Sequence, residues 1–308
     1  MWTGSGTPIG SRSSTGTRRA GRRWFARRSG ASFGGTTGYD ARRAEHATSL
    51  SSHRPGGRVA VGRARRLTAP RRLGVPHRHA APMDVLGIFA KYWRPGSVKT
   101  RLAATIGAEG AAALSREFLA LLLRRMASQA ARRYVVGSPP ESLSAFEQMA
   151  GPDWECVAQV PGDLGRRLAA FFEDAFQRGA RRVIVLGSDS PTVPQSAIDR
   201  AWEELDRHDV VLGPTADGGY YLVGASRLVP ELFQAIPWST ERVWRTTVNR
   251  LRACDARHAA LPAWYDVDSA PDLMRLQREL ADPPWSETTL RRLVDDLVRG
   301  MGGRYAQS

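Results

Sequence analysis

The sequence predicts an α/β fold: a mostly parallel sheet with helices on both faces, preceded by a disordered arm. Three observations predict it. From Met83 onward, short apolar runs alternate with amphipathic stretches, the rhythm of βαβ units. One run, Val183-Ile184-Val185-Leu186, is apolar throughout, as expected of a central parallel strand buried on both faces. The charge of the 308-residue chain is also divided abruptly. Residues 1–82 hold 17 of the 45 basic residues, all Arg, and only two of the 30 acids, Asp40 and Glu45, so the whole net charge of +15 lies there and the remainder is neutral.

Residues 83–284 read as one domain. The first strand is expected at 85–90. Residues 108–131 have helical spacing, with Leu114, Phe118, Leu121 and Leu122 on one side. Strands follow at 133–137 and 154–160. Asp163 can cap a helix running to Arg178, in which Leu168, Phe171, Phe172 and Ala175 have core spacing, and Gly179 can end it. After the apolar strand at 183–186 comes a helix at 194–205. Strands at 209–212 and 220–224 flank a loop at 213–219. Helices are expected at about 229–234 and 240–253, then a loop and final helix over 268–280. Residues 285–308 read as an appended amphipathic helix, about 286–298, and a tail.

Composition excludes several classes. Residues 1–82 are rich in Gly, Ser and Thr and show no sustained apolar period, so they cannot bury enough surface to offset their ordering entropy. Arg22-Arg23 resembles part of a twin-arginine signal, but no apolar run follows it. A transit peptide fits the composition better, and a solvated arm with loose nucleic-acid affinity is a third reading. The favoured expectation is translation upstream of a real start at Met83, where a new compositional regime opens. Cys156 and Cys254 have no partner motif, so neither a disulfide framework nor a structural zinc site is expected. No apolar run approaches a membrane span. The expectation is a soluble, cytoplasmic protein, and the neutrality of residues 83–308 argues against a nucleic-acid partner.

In open α/β sheets, ligands bind beyond the carboxyl ends of the strands, and the unusual residues cluster there. After the first strand, Lys91, Arg94, Lys99 and Arg101 surround the turn Pro95-Gly96; Lys91 and Lys99 are the only lysines in the chain. Such a loop can neutralise phosphates while Gly96 lets backbone amides approach. It lacks the spacing of a P-loop, and a solvated basic turn is the plainer reading. After the apolar strand, Gly187-Ser188-Asp189-Ser190-Pro191 places a carboxylate where it can hold a hard divalent cation bridging phosphates; the alternative is a turn or helix cap. In Gly213-Pro214-Thr215-Ala216-Asp217-Gly218-Gly219, Asp217 can accept from sugar hydroxyls beside two permissive glycines; the alternative is a hairpin turn of Asp-Gly type. Asp266 and Asp268 precede a helix, where one can complete a cation's shell, or Asp268 or Ser269 can be the N-cap. Gln159 to Arg167 can supply donors to a nucleotide, with Asp163 more simply a cap. Trp238-Ser239-Thr240 looks like a helix entry. The only histidines of this region, His208 and His258, are poorly placed for a Ser-His-Asp hydrolase.

Together and in this order, these blocks resemble the radical-SAM/selenodomain-associated transferase 1 family, described also as arsenosugar-biosynthesis-type glycosyltransferases. That family's pattern looks like F-x-K-x-P-x-P-G-x-V-K-T-R-L, Q-x-x-G-D-L-G-x-R, G-S-D-C-P, G-P-x-x-D-G-G-Y-Y-L, I-P-W-S-T and D-V-D-T-x-x-D-L. The matching stretches here are 89–102, 159–167, 187–191, 213–222, 236–240 and 266–273. The family's Pro after the first Lys is replaced in Tyr92-Trp93, its Cys is Ser190 and its last Thr is Ser269. The resemblance implies a GT-A-like nucleotide-diphospho-sugar transferase fold, akin to molybdenum-cofactor and phospholactate guanylyltransferases. It implies that Lys91, Arg94, Gly96, Lys99 and Arg101 hold donor phosphates. Asp189 would be the principal metal carboxylate and a catalytic residue, with Asp268 or Asp266 the second ligand. Asp217, also catalytic, would face the sugar or acceptor with Gly218 and Gly219, and Arg167 would assist in binding donor or acceptor. The expected activity is Mg²⁺- or Mn²⁺-dependent glycosyl transfer from a nucleotide-sugar donor to a small-molecule acceptor. Nucleotidyl transfer releasing pyrophosphate is the first alternative, and nucleic-acid binding through the Arg-rich arm a distant one. The oligomeric state stays open.

Overall fold

The computed structural model describes residues 83–285 and 288–305; the readings of residues 1–82 fall outside them. Seven strands form one sheet in the order β3-β2-β1-β4-β6-β5-β7. They are β1 (Met83–Lys91), β2 (Arg132–Ser138), β3 (Glu155–Ala158), β4 (Ala180–Gly187), β5 (Val210–Pro214), β6 (Tyr220–Ala225) and β7 (His258–Ala260). All neighbouring pairs are parallel except those of β6, which runs antiparallel to both β4 and β5. The helices are α1 (Thr100–Ile106), α2 (Ala108–Arg125), α3 (Leu143–Ala150), α4 (Leu164–Gln177), α5 (Gln195–Glu204), α6 (Val243–Ala253), α7 (Ala270–Glu279) and α8 (Thr289–Tyr305). The α/β architecture expected from the sequence, mostly parallel and covered on both faces, is the one observed.

The uninterrupted apolar run of β4 has a direct cause. Ile184 and Leu186 face one core with Leu119 and Leu122 of α2 and Ile198 and Trp202 of α5. Val183 and Val185 face the opposite core with Leu168, Phe171 and Phe172 of α4 and Leu251 of α6. With helices on both sides no position can be polar, and each buried aliphatic side chain contributes about 1.5–3 kcal/mol. A third core lies beside the sheet: Leu102 and Ile106 of α1, Leu114, Phe118 and Leu121 of α2, Leu273 and Leu276 of α7, and Leu290 and Val294 of α8. Helix α2 therefore packs on two sides, which accounts for its many leucines. The C-terminal helix, expected as an appendage, is a wall of this core.

Several element boundaries differ from expectation. The helix expected at 108–131 stops at Arg125 and is preceded by a separate α1; Gly107, at φ 85°, makes the break. The helix expected at 229–234 is a 3-10 turn, Pro230–Phe233. Two short elements carry no periodic signal in the sequence: α3, and β7, which pairs only with β5 over three residues. Among the described residues no helix is long and apolar enough to cross a membrane.

Candidate functional site

Parallel pairing of β1 and β4 sets Phe89 beside Gly187, so Lys91 and Asp189 leave the carboxyl edge of the sheet at the same height. The segments that follow them enclose a cleft of about 270 Å³, lined by Phe89, Lys91, Val98, Lys99, Ser115, Gln159, Leu164, Ser188, Asp189 and Asp268 among others.

The basic loop divides into distinct roles. Lys91 is exposed and its Nζ donates to the Ser97 carbonyl at 2.7 Å. Gly96, at φ 77°, makes the turn, with open space where a side chain would stand. Arg94 is exposed and does not line the cleft. Arg101, 74% exposed, donates to Asp268 Oδ2 at 3.0 Å. Lys99 departs from the expectation of a cation free to meet phosphates. Its side chain is 2% exposed, and its ammonium donates to Asp189 Oδ1 at 2.5 Å and to the Val267 carbonyl at 2.9 Å. It also lies 3.6 Å from Asp268 Oδ1 and 4.9 Å from the Phe118 ring centre. Lys99 sits just before α1 in a left-handed conformation, φ 44° and ψ 46°, unusual for a non-glycine residue.

The carboxylates come together from two distant segments. The Val267 N–H donates to the Asp189 carbonyl at 3.0 Å, which docks the loop of residues 266–268 onto the end of β4. The side chains of Asp189 and Asp268 are 49% and 33% exposed and face the cleft. Ser269 and Asp272 form the capping box of α7, so Ser269 is the N-cap and Asp268 is left to face Lys99 and Arg101. Asp266 lies deeper and accepts from Ser190 Oγ at 2.5 Å. Burial, then the charge of Asp189, raises its carboxyl pKa to about 7 despite the Ser190 hydrogen bond. The hydroxyl at position 190 thus has a structural partner.

Of the remaining predicted residues, Gln159 lines the cleft, and Arg167, Asp217, Gly218 and Gly219 stand outside its lining. Arg167 donates to Gln159 Oε1 at 3.1 Å and to the Gly162 carbonyl at 2.8 Å. Gln159 in turn donates to the Val136 carbonyl at 2.8 Å. Arg167 therefore positions a side chain that lines the cleft. Asp163 caps α4 by accepting from the Arg166 N–H at 2.8 Å. Asp217 is exposed in the β5–β6 hairpin, where its Oδ1 accepts from Thr215 Oγ1 at 2.5 Å and the Gly219 N–H at 3.2 Å. Gly218, at φ 88°, is required by packing: a Cβ there would collide with the main chain of Glu241, and its carbonyl accepts from the Trp244 N–H at 2.7 Å. The nearest occupant of the space beside Gly218 is thus Glu241, whereas the sequence pointed to a ligand. Gly165 likewise lets Trp238 in, since a Cβ would stand 2.5 Å from the indole Nε1.

Sequence reasoning missed three residues. Ser115 and Ser188 line the cleft; Ser115 lies in a helix with no distinctive signal, and the sequence marks Ser188 only as a small neighbour of Asp189. Arg125 of α2 donates to the carbonyls of Pro191 (2.7 Å) and Val193 (2.5 Å), with its guanidinium 4.8 Å from the Trp285 ring centre. Burial lowers its pKa to about 10. It clamps the loop that carries Asp189.

Among the described residues no group of three or more His, Cys, Asp or Glu side chains is arranged to hold a metal ion. The donor set that remains is Asp189 and Asp268, two hard oxygen ligands that already share one cation, the Lys99 ammonium. That fits an ion such as Mg²⁺, which binds through one or two carboxylates and takes its other ligands from phosphates and water.

Comparison with known proteins bears on the fold and the family. The model of a family described as uncharacterized and conserved in bacteria, DUF2064, matches residues 121–240, which include Gln159, Arg167, Asp189 and Asp217. Among curated proteins none matches the sequence. Among solved structures, a candidate nucleotide-diphospho-sugar transferase from Desulfovibrio desulfuricans G20 is 32% identical, with a TM-score of 0.67, over 71% of this chain and 97% of its own. Rv0371c from Mycobacterium tuberculosis H37Rv is 19% identical, with a TM-score of 0.40, over 64% of this chain and 98% of its own. The inositol-1-phosphate CTP transferase from T. maritima is 13% identical, with a TM-score of 0.43, over 71% of this chain and 97% of its own. At 32% identity over almost the entire Desulfovibrio protein, the chain belongs to the family of that candidate nucleotide-diphospho-sugar transferase.

Proposed function

We propose that this transferase moves a sugar from a nucleotide-diphosphate donor to a small-molecule acceptor with the help of Mg²⁺ or Mn²⁺, and that it is a radical-SAM/selenodomain-associated transferase 1 family member. The observation that carries the reading is the meeting of Asp189 and Asp268 with the basic loop after β1, across a cleft at the carboxyl edge of the sheet. Asp189 and Asp268 would hold the metal ion. When bound, the ion supplies charge neutralisation for the departing diphosphate. Lys91 and Arg101, both exposed, meet donor phosphates at the cleft mouth, with Arg94 and the Gly96 turn beside them. Gln159, held by Arg167 and by the Val136 and Ala90 carbonyls, forms a wall of the cleft beside the donor. Asp217 orients sugar hydroxyls by accepting hydrogen bonds, and Gly219 keeps the approach to it open.

The test is product analysis with nucleotide sugars, nucleoside triphosphates and acceptor extracts. Metal-dependent release of a nucleoside diphosphate, lost in Asp189→Asn, is the expected result. Pyrophosphate from a triphosphate, with no nucleoside diphosphate from any sugar donor, would replace the reading with nucleotidyl transfer.

A further inference from the structure

We propose that Lys99 is the resident counter-cation of the Asp189–Asp268 pair, so that this site takes up a divalent metal ion only together with a diphosphate-bearing ligand. The inference rests on the reading of these two carboxylates as the metal holders. Its basis is the arrangement of charge. The ammonium contacts Asp189 and approaches Asp268, and Arg101 contacts the other oxygen of Asp268. Asp189 and Asp268 thus face two cations, which offsets much of the attraction a free divalent ion would otherwise meet there. To bind, it must compete with an ammonium that is almost fully buried, hydrogen-bonded to the Val267 carbonyl and seated over the Phe118 ring.

The third carboxylate nearby, Asp266, is held by the Ser190 hydroxyl, and among the described residues no group of three or more His, Cys, Asp or Glu side chains is arranged to hold a metal ion. A diphosphate changes the balance in two ways. Its oxygens complete the shell of an ion held by only two side chains. Its negative charge also gives Lys99, which already lines the cleft, a second partner beside Lys91. The left-handed backbone at Lys99 belongs to the same arrangement: it turns the chain so that the side chain enters between the carboxylates as α1 begins. The sequence alone placed Lys99 among the phosphate cations. The structure assigns it first to the carboxylates.

The measurement is Mn²⁺ retained by the protein in equilibrium dialysis, with and without inorganic pyrophosphate. In the unaltered protein, retention should be weak with Mn²⁺ alone and rise at least about tenfold with pyrophosphate. Lys99→Met should hold Mn²⁺ alone at least about tenfold more tightly than the unaltered protein, since one positive charge leaves the carboxylates. Should Lys99→Met fail to fold, Lys99→Gln takes its place, since its amide can still donate to the Val267 carbonyl while the charge is gone: a tightening of about tenfold supports the proposal, whereas no change overturns it. Equal Mn²⁺ affinity in the unaltered protein and Lys99→Met, with binding lost in Asp189→Asn, overturns the role of Lys99 and leaves the carboxylates as metal holders. Mn²⁺ retention that Asp189→Asn does not alter, or none in any variant with or without pyrophosphate, overturns the metal reading beneath it as well.

Discussion

Asp189 and Asp266 lie on the same edge of the sheet in opposite surroundings. Asp189 is half exposed and bonded to Lys99, whereas Asp266 is partly buried, holds the Ser190 hydroxyl and has its pKa raised to about 7. The first is therefore available to a ligand and the second supports the loop between them. Asp189→Asn keeps the side-chain shape at an exposed position, so melting temperature should move little. Metal-dependent turnover should fall at least about 100-fold, the loss of some 3 kcal/mol in transition-state stabilisation. Steady-state kinetics beside a thermal melt checks both halves; retention of turnover removes Asp189 from the chemistry. Asp217→Asn should be milder, because that carboxylate is engaged with its own turn through Thr215 and Gly219. A several-fold change in KM with kcat near its original value is the expected outcome.

At the scale of elements, short contacts between distant segments hold the sheet and its hairpin in place. The β5–β6 hairpin rests on the start of α6 because Gly218 has neither a side chain nor an ordinary backbone angle. Gly218→Ala should cost about 1–3 kcal/mol, from the strained φ together with the collision against Glu241, read as a lower denaturant midpoint at unchanged slope. On the amino side of the sheet, Asp84 of β1 accepts from Arg182 of β4 at 3.0 and 2.6 Å, and Arg182 also reaches Asp206. Burial works to raise the Asp84 pKa, but Arg182, aided by Arg181, outweighs it and the carboxyl is held below its usual 3.8. A carboxylate with a depressed pKa contributes stability that is present above the unfolded value and lost as pH falls through the folded one. The unaltered protein should therefore lose its advantage over Asp84→Asn below about pH 4, an advantage of about 1 kcal/mol for so partly exposed a pair. Chemical denaturation from pH 3 to pH 7 measures it, and parallel curves would remove the ion pair from the balance.

At the scale of the whole molecule, two of the three cores meet at α2. Its Leu119 and Leu122 cover the sheet, while Leu114 and Phe118 join α1, α7 and α8, and Phe118 is also the ring beneath Lys99. The C-terminal helix thus supports the floor of the cleft from behind. Leu290→Ala in α8 removes a fully buried side chain from that third core and should destabilise the protein by about 2–5 kcal/mol. A shift of the denaturation midpoint below about 1 kcal/mol would mean that α8 is the appendage the sequence suggested and no wall of the core.

What the sequence determined by itself was everything that local periodicity and composition encode. The strand at 183–186 and the helix beginning after Asp163 were legible because burial on two faces, or on one helical stripe, leaves a pattern within ten residues. The site segments were legible because small and charged residues follow apolar runs where strands end. Tertiary structure alone decided which of these charges meet. Lys99 reaches Asp189 across 90 residues and Val267 across 168, and no spacing within one segment records such a pairing. It also decided that β6 reverses the sheet, that α8 closes a core, and that Gly218 is there for Glu241. Each depends on surfaces formed only once distant elements have packed, since hydrophobic burial is non-directional and leaves the choice of partner to shape and charge.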